Sequence, residues 1–531
     1  MEKIKFLETL NNPSLYGSNV RSVKVLQTHI SYVVLTGEYA YKIKKPVNFG
    51  FLDFSTLENR KKYCEEELRL NRRLCPEIYI DVVPITKNDK IIQIKGDGQI
   101  IEYAVKMKEF PQHNIMKNLL EDSKIGEEVI DKICNILIDF YNNSEQSEEI
   151  NKFGSIESIK KNTDENFIQT KSVINVTIPS EIHDFIKSNT NKFLEQKKDF
   201  FADRIRQKYI CDCHGDLHSG NIVVSGEDVC IFDCIEFNKR FRFSDAASDI
   251  AFLAMDLDYQ GCPYLSSYFI KRYIEESNDS EIINVLNFYK CYRAYVRGKV
   301  ISFRLEDKQL DKKEKIILKN SAKKYFELSY YYSKLFSRFL NKSKPVLFIT
   351  SGLTGTGKTT VAEKISVDYN AQLISTDSVR KELEGIDKYE RHHDAYNTGI
   401  YSPEKMLLTY NKIFEKADKG LNEGKNVILD ATFKNENLRE KAKDIAIKNK
   451  SNFLILYCTC PENIVKKYLE NRVKKKSISD GRWEIYLKQK DTFEPLRSKA
   501  NIIEIDMSRK SFDYQIGVFN KVLEKLVRLE N

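Results

Sequence analysis

Nine residues, Gly352-Leu353-Thr354-Gly355-Thr356-Gly357-Lys358-Thr359-Thr360, constrain this chain more than any other stretch. They satisfy G-x-x-x-x-G-K-[ST], follow the apolar run Val346–Thr350 and lead into the helix-forming run Val361-Ala362-Glu363-Lys364-Ile365. Closely spaced glycines let successive backbone N–H groups turn inward around phosphate oxygens, and the positive end of a helix faces the same point. In that setting Lys358 reaches β- and γ-phosphates, while Thr359 is a candidate Mg²⁺ ligand.

The pattern downstream agrees with the loop. Strand candidates Val346–Thr350, Leu373–Ser375, Val427–Leu429, Phe453–Tyr457 and Ile502–Ile505 alternate with helical segments, as in an α/β domain with a mostly parallel sheet. Asn426-Val427-Ile428-Leu429-Asp430 ends a buried strand in an acid, which makes Asp430 the second metal-side candidate. Ser375-Thr376-Asp377-Ser378-Val379-Arg380 sets Asp377 at the carboxyl edge of the sheet, as proton acceptor for a hydroxyl, with Arg380 to hold an acceptor anion. Arg472, at the end of a helix before Lys474-Lys475-Lys476, is a candidate for charge stabilisation on the transferred group.

The first part of the chain reads differently. Strands are expected around the turn Thr36-Gly37-Glu38, a long helix over Leu57–Leu74, and further strands in Asp81–Ile85, Lys90–Ile94 and Ile100–Met107. Helical patterns then run from about His113 to Lys208 and from Asp245 to about Leu340, with short strands near Ile222–Val224 and Val229–Phe232 between them. A small β-rich lobe, about 1–110, thus precedes an α-rich one, about 111–340. The polar stretch 341–345, ending in Pro345, separates this domain of 1–340 from a second of 346–531.

Between the helical regions stands His214-Gly215-Asp216-Leu217-His218-Ser219-Gly220-Asn221, with an aspartate five residues before an asparagine. One loop with that spacing presents a carboxylate to an acceptor hydroxyl and an amide oxygen to a metal on nucleotide phosphates. Val229-Cys230-Ile231-Phe232-Asp233 ends a short strand in another carboxylate, and a hairpin through Ser225-Gly226-Glu227-Asp228 brings Asn221 and Asp233 together. Glu236 either faces the acceptor or pairs with Arg240 or Arg242, and Asp245 and Asp249 read as loop anchors and helix caps.

Composition excludes several classes. No run of about 18 uncharged apolar residues appears, and Met1-Glu2-Lys3-Ile4-Lys5-Phe6 lacks the apolar core of a signal peptide, so a cytoplasmic protein with no membrane role is expected. Lysine plus arginine exceed acids by 86 − 77 = 9, which suits anionic nucleotides and does not call for nucleic acid. The 11 cysteines are scattered, which favours reduced thiols, and Cys211-x-Cys213 and Cys458-x-Cys460 lack the second ligand pair of a zinc ribbon.

Two resemblances follow from these motifs. The region from about Pro345 to Asn531 is similar to P-loop kinases of small molecules and polynucleotides, among them gluconate kinases and the chloramphenicol phosphotransferase; in that pattern Asp377 is the general base. The phrase His-Gly-Asp-Leu-His with the later Ile-Phe-Asp resembles aminoglycoside phosphotransferases and their choline and fructosamine kinase relatives, over roughly Phe6 to Phe336. This second resemblance implies an α+β, bilobal, protein-kinase-like fold, with Asp216 as catalytic base, Asn221 and Asp233 as Mg²⁺ ligands and Lys42 as the phosphate-binding lysine. Lys44 is its rival on the same strand face, and Glu66 or Glu67 supplies the paired glutamate. No G-x-G-x-x-G precedes Lys42, so Thr28-His29-Ile30-Ser31-Tyr32 must cover the phosphates. The order of the two halves resembles a bacterial family of such fusions.

The expectation is a bifunctional phosphotransferase using ATP and Mg²⁺ on small-molecule hydroxyl acceptors. The rivals are one catalytic half regulated by a nucleotide-sensing half, and a nucleic-acid 5′-kinase in the C-terminal half.

Overall fold

The computed structural model describes residues 3–89, 91–307, 310–341, 343–387, 398–472, 482–497 and 500–530. The chain divides into two compact units, Met1–Asn162 with Asp199–Asp256, and Thr163–Lys198 with Leu257–Asn531.

The first unit opens with six antiparallel strands: β1 (Lys24–Gln27), β2 (Ser31–Leu35), β3 (Tyr39–Lys44), β4 (Tyr79–Asn88), β5 (Ile91–Ile94) and β6 (Gln99–Lys108). They lie in the order β1-β2-β3-β6-β4-β5. Alternation puts Tyr32, Val34, Tyr41 and Ile43 on the face that packs with Val83, Ile85 and Ala104. Helix α1 (Leu57–Asn71) begins at Thr56, whose hydroxyl accepts the Asn59 N–H as an N-cap, and it enters between β3 and β4.

Later in the same unit come β7 (Ile210–Asp212), β8 (Ile222–Ser225), β9 (Asp228–Ile231) and β10 (Phe243–Asp245). The hairpin of β8 and β9 is the expected one, with Ile222 opposite Ile231. The pairing of β7 with β10 is not foreshadowed in the sequence, because three-residue strands are too short to show alternation. Helix α2 starts at Ala246 and continues to Tyr259. Cys75 and Cys230 meet in a disulfide with a Cα–Cα separation of 5.1 Å, which corrects the expectation of reduced thiols at that pair.

In the second unit α3 (Pro263–Ser277), α4 (Ile283–Phe303) and α5 (Lys312–Leu340) precede a sheet of five parallel strands. These are β11 (Val346–Ser351), β12 (Ala371–Ser375), β13 (Asn426–Asp430), β14 (Asn452–Thr459) and β15 (Ile502–Asp506), in the order β12-β13-β11-β14-β15. Their near-continuous apolar runs fit strands covered on both faces. The helices among them include α6 (Lys358–Asp368), α7 (Thr376–Glu384), α8 (Pro403–Asn422) and, last, α9 (Phe512–Glu530).

The expected boundary at 341–345 therefore falls inside one unit. Helix α5 packs against α9, and α3 against α6, so helices from before Pro345 pack on helices that follow it. A buried charge network accompanies that packing. Asp258 Oδ2 receives Lys290 Nζ at 2.8 Å, the Tyr332 hydroxyl at 2.5 Å and, at 3.4 Å, Lys364 of α6. Lys364 also pairs with Asp368 at 2.7 Å, and the Tyr331 hydroxyl donates to Asp368. None of these side chains is more than 6% exposed.

No helix among the described residues is long and apolar enough to cross a membrane.

Removing one partner of a buried pair strands the other charge. Lys290→Met is expected to destabilise by about 3 kcal/mol, the lower end of that range because Lys364 still faces Asp258. The measurement is the urea midpoint, and Asp258→Asn added to Lys290→Met should recover most of the loss.

Candidate active sites

The first site is built where β3, α1 and the segment after β9 converge. Lys42 and Lys44 lie two residues apart on β3, so both point to the same face. One carboxylate answers both: Glu67 Oε1 is 2.8 Å from Lys42 Nζ, and Oε2 is 2.7 Å from Lys44 Nζ. Lys42 also reaches Asp233 Oδ1 at 2.5 Å, and Lys44 also pairs with Glu236. Glu66 departs from expectation. It turns away on the helix to Arg69 at 2.7 Å and to Arg242 at 3.4 Å, because adjacent helical positions do not share a face. Glu67 is thus the glutamate paired with the lysines.

Charge and burial separate the roles within this cluster. Two lysines face three carboxylates, which leaves one negative charge in excess, and Asp233 is the exposed member at 42%. Burial works against a charged Glu67, yet Lys42 and Lys44 hold its pKa down to about 2. Burial likewise opposes the charge on Lys42, but Asp233 and Glu67 outweigh it and raise the pKa. Lys44 is 1% exposed and lies over the Phe54 ring. Of the two rival lysines, Lys42 is therefore the one open to a ligand. Asp233 holds a left-handed backbone, φ 65°, uncommon for a residue with a side chain and frequent where function fixes the geometry.

The loop from His214 to Asn221 is pinned from behind. Asp249 on α2 accepts the N–H groups of His214 at 2.7 Å and Gly215 at 3.0 Å; Asp256, two turns on, accepts the Ser219 N–H at 2.9 Å and its hydroxyl at 2.5 Å. Asp256 was not among the candidates, although its spacing of seven from Asp249 places both on one helical face. His214 is buried, which lowers its pKa; its Nδ1 accepts the Asp216 N–H, so Nε2 carries the proton donated to the Phe232 carbonyl. Gly215 has φ 87°, and a Cβ there would lie 2.9 Å from the Phe241 carbonyl oxygen.

So held, Asp216 keeps its side chain 34% exposed, with His218 Nε2 at 3.4 Å. Asn221 Nδ2 donates to Asp216 at the backbone oxygen, 3.0 Å, and at Oδ2, 3.1 Å. With its N–H bonds directed there, the amide oxygen is the atom Asn221 offers a cation. Asp245 and Asp249 serve as the anchors expected of them, Asp245 pairing with Arg204 at 2.7 Å and capping the Ala247 N–H.

The second site occupies the carboxyl edge of the parallel sheet. Gly352, φ 139°, lets the loop pass where a Cβ would meet the Cys458 carbonyl oxygen at 2.4 Å. Leu353 contributes its carbonyl, which accepts the Thr356 hydroxyl at 2.8 Å and Lys358 Nζ at 2.9 Å. The Thr359 hydroxyl donates to Asp430 Oδ2 at 2.8 Å, and the Thr350 hydroxyl to Oδ1 at 3.1 Å. A hydroxyl beside a carboxylate at the mouth of a phosphate-binding loop is a donor set of the hard oxygen type that suits Mg²⁺. Burial raises the pKa of Asp430, and Lys358 opposes the rise. Gly355, Gly357 and Thr360 complete the loop and the first turn of α6.

One feature of this edge differs from expectation. Arg380 does not stand open for an anion: it is 4% exposed, donates to Asp377 Oδ1 at 2.8 Å and stacks over the Tyr401 ring. Asp377 stands in the first turn of α7, where its N–H donates to the hydroxyl of the N-cap residue Ser375. The Thr354 N–H donates to Gln489 Oε1 at 2.8 Å, a contact from a helix over a hundred residues downstream that no local motif signals. Arg472 ends the helix Glu462–Arg472, and its side chain lies outside the described residues.

Residues 347–496, which include this edge, match the family described as an AAA domain. Uncharacterized proteins of Mycobacterium tuberculosis and Mycobacterium bovis are 27% identical over 443 residues, 83% of this chain and 85% of theirs. Among solved structures, a choline/ethanolamine kinase family protein from Mesorhizobium loti is 12% identical, with a TM-score of 0.39, covering 64% of this chain and 98% of its own. A gluconokinase from Sinorhizobium meliloti is 17% identical, with a TM-score of 0.26, covering 35% of this chain and 95% of its own.

If the first site takes a nucleotide, Glu67→Gln is expected to weaken its binding by about tenfold or more, the usual cost of losing a residue that orients a ligand-binding group. Glu66→Gln should stay within twofold by the same calorimetric titration, since Glu66 faces arginines elsewhere.

Proposed function

We propose that the chain is a bifunctional ATP-dependent phosphotransferase, with a separate Mg·ATP site in each of the two regions and small-molecule hydroxyl acceptors. The observation that carries this reading is the Lys42–Asp233 contact at 2.5 Å, which joins residues 191 positions apart beside the Asp216–Asn221 loop. The full phosphate-binding loop, with Thr359 on Asp430, is its counterpart in the second region.

Bound Mg·ATP would supply the phosphoryl group and most of the charge neutralisation. The chain's own residues do the rest. In the first site Lys42 would hold phosphate oxygens, Asn221 and Asp233 would hold the metal, and Asp216 would take the proton of the acceptor hydroxyl as its oxygen bonds to the γ-phosphorus and ADP leaves. In the second site the loop N–H groups and Lys358 would hold phosphates, Thr359 and Asp430 would hold the metal, and Asp377, oriented by Arg380, would be the base for the same displacement of ADP. Nucleic acid is not the favoured acceptor, and a cytoplasmic location fits the reading.

Acceptor-stimulated ADP release, screened over sugars, amino alcohols, aminoglycosides and 5′-hydroxyl oligonucleotides, tests the activity. Asp216→Asn should keep Mg·ATP binding and lose about 10²–10⁴ in transfer rate at the first site; unchanged turnover removes Asp216 from the base role. Titration should find two nucleotide equivalents, falling to one in Lys358→Ala. Loss of both in a folded Lys358→Ala protein would mean a single coupled site.

A further inference from the structure

Glu67 shares its carboxylate between two lysines, whereas one lysine would suffice to orient a phosphate-binding charge. The second lysine, Lys44, cannot itself meet a ligand, being buried to 1% exposure under Phe54. Its other partner, Glu236, is 4% exposed and lies three residues beyond Asp233, just past the two positions, Cys234 and Ile235 here, where a kinase carries the Phe-Gly of its Asp-Phe-Gly motif. The pair Lys44–Glu236 therefore ties the segment that follows Asp233 to β3, and through Glu67 to α1. A further bond runs in parallel: Asn71, at the end of α1, accepts the Cys234 N–H at 2.8 Å.

We propose that Lys44 and Glu236 are positioning residues that keep the first nucleotide site permanently assembled, with Glu67 held against Lys42 and Asp233 held at the metal position. The proposal rests on the phosphotransferase reading of that site. Its physical basis is the cost of separation. Were α1 to swing away, Lys44 and Glu236 would stay buried as a pair, but Glu67 would lose two cations and Lys42 would retain Asp233 alone. In a site with a single lysine, the same motion breaks one ion pair. The doubled arrangement thus opposes the regulatory opening that a movable helix permits, and the site needs no activating event.

The test uses the full chain carrying Lys358→Ala, so that the remaining nucleotide equivalent belongs to the first site. In that background Lys44→Met leaves Glu236 and half of Glu67 unpaired, and Mg·ATP affinity should fall about tenfold or more. Adding Glu236→Gln removes the stranded charge but does not restore the tie, so the affinity should stay about tenfold down, whereas Lys44→Arg, which keeps a cation between Glu67 and Glu236, should recover most of it. Affinity within twofold of the parent in folded Lys44→Met protein, or recovery to within about threefold in the double variant, which would assign the whole loss to the stranded charge, overturns the proposal. Should Lys44→Met not fold, the double variant carries the test alone: a tenfold loss supports the proposal, and binding within about threefold of the parent overturns it. Absence of any nucleotide equivalent in the Lys358→Ala parent removes the phosphotransferase reading itself, and this inference with it.

Discussion

A lysine keeps its charge when buried only if an opposite charge is buried beside it, and in the first unit that condition is met by one carboxylate, Glu67, placed between Lys42 and Lys44. Much of the local architecture follows from this. The two lysines must be two residues apart on a single strand, so the register of β3 is set by them as much as by its apolar face. Helix α1 must stand so that position 67, and not 66, looks at the sheet. The segment after β9 must then approach closely enough for Asp233 and Glu236 to complete the balance, which brings the left-handed aspartate beside the loop His214–Asn221.

The loop itself is held by a second set of carboxylates. Asp249 and Asp256 receive backbone N–H groups, and a carboxylate that accepts such bonds fixes backbone geometry with charge-assisted strength. His214 adds a neutral imidazole bridging two backbone groups, one from the loop and one from Phe232 at the end of the hairpin. Asp216 is thereby left partly exposed on a backbone that has little freedom, which is what the base role proposed for it would need.

The second unit solves a different problem with related means. Its nucleotide-binding loop needs backbone, not side chains, at close range, so Gly352 matters where the chain passes Cys458. Behind the loop, α6 turns Lys364 and Asp368 into the helical layer formed by α2, α4 and α5, where Asp258, Lys290 and two tyrosine hydroxyls receive them. Charges on the inner face of a helix that begins at a phosphate-binding loop make its seating specific, since a shifted helix would leave them unpaired.

The sequence alone determined the elements that depend on local pattern. The five parallel strands, the β8–β9 hairpin, the loop Gly352–Thr360 and the spacing of Asp216, Asn221 and Asp233 were all legible, because period, glycine placement and short-range spacing are written in neighbouring residues. Tertiary structure decided what depends on partners far apart in the chain. It chose Glu67 over Glu66, buried Lys44, set Arg380 over the Tyr401 ring, brought Gln489 to Thr354, and joined helices from before Pro345 to α6 and α9 after it. The physical reason is the same in each case: adjacent residues of like chemistry are equivalent along a chain, and only the location of the opposite charge or the covering surface, fixed by packing, distinguishes them.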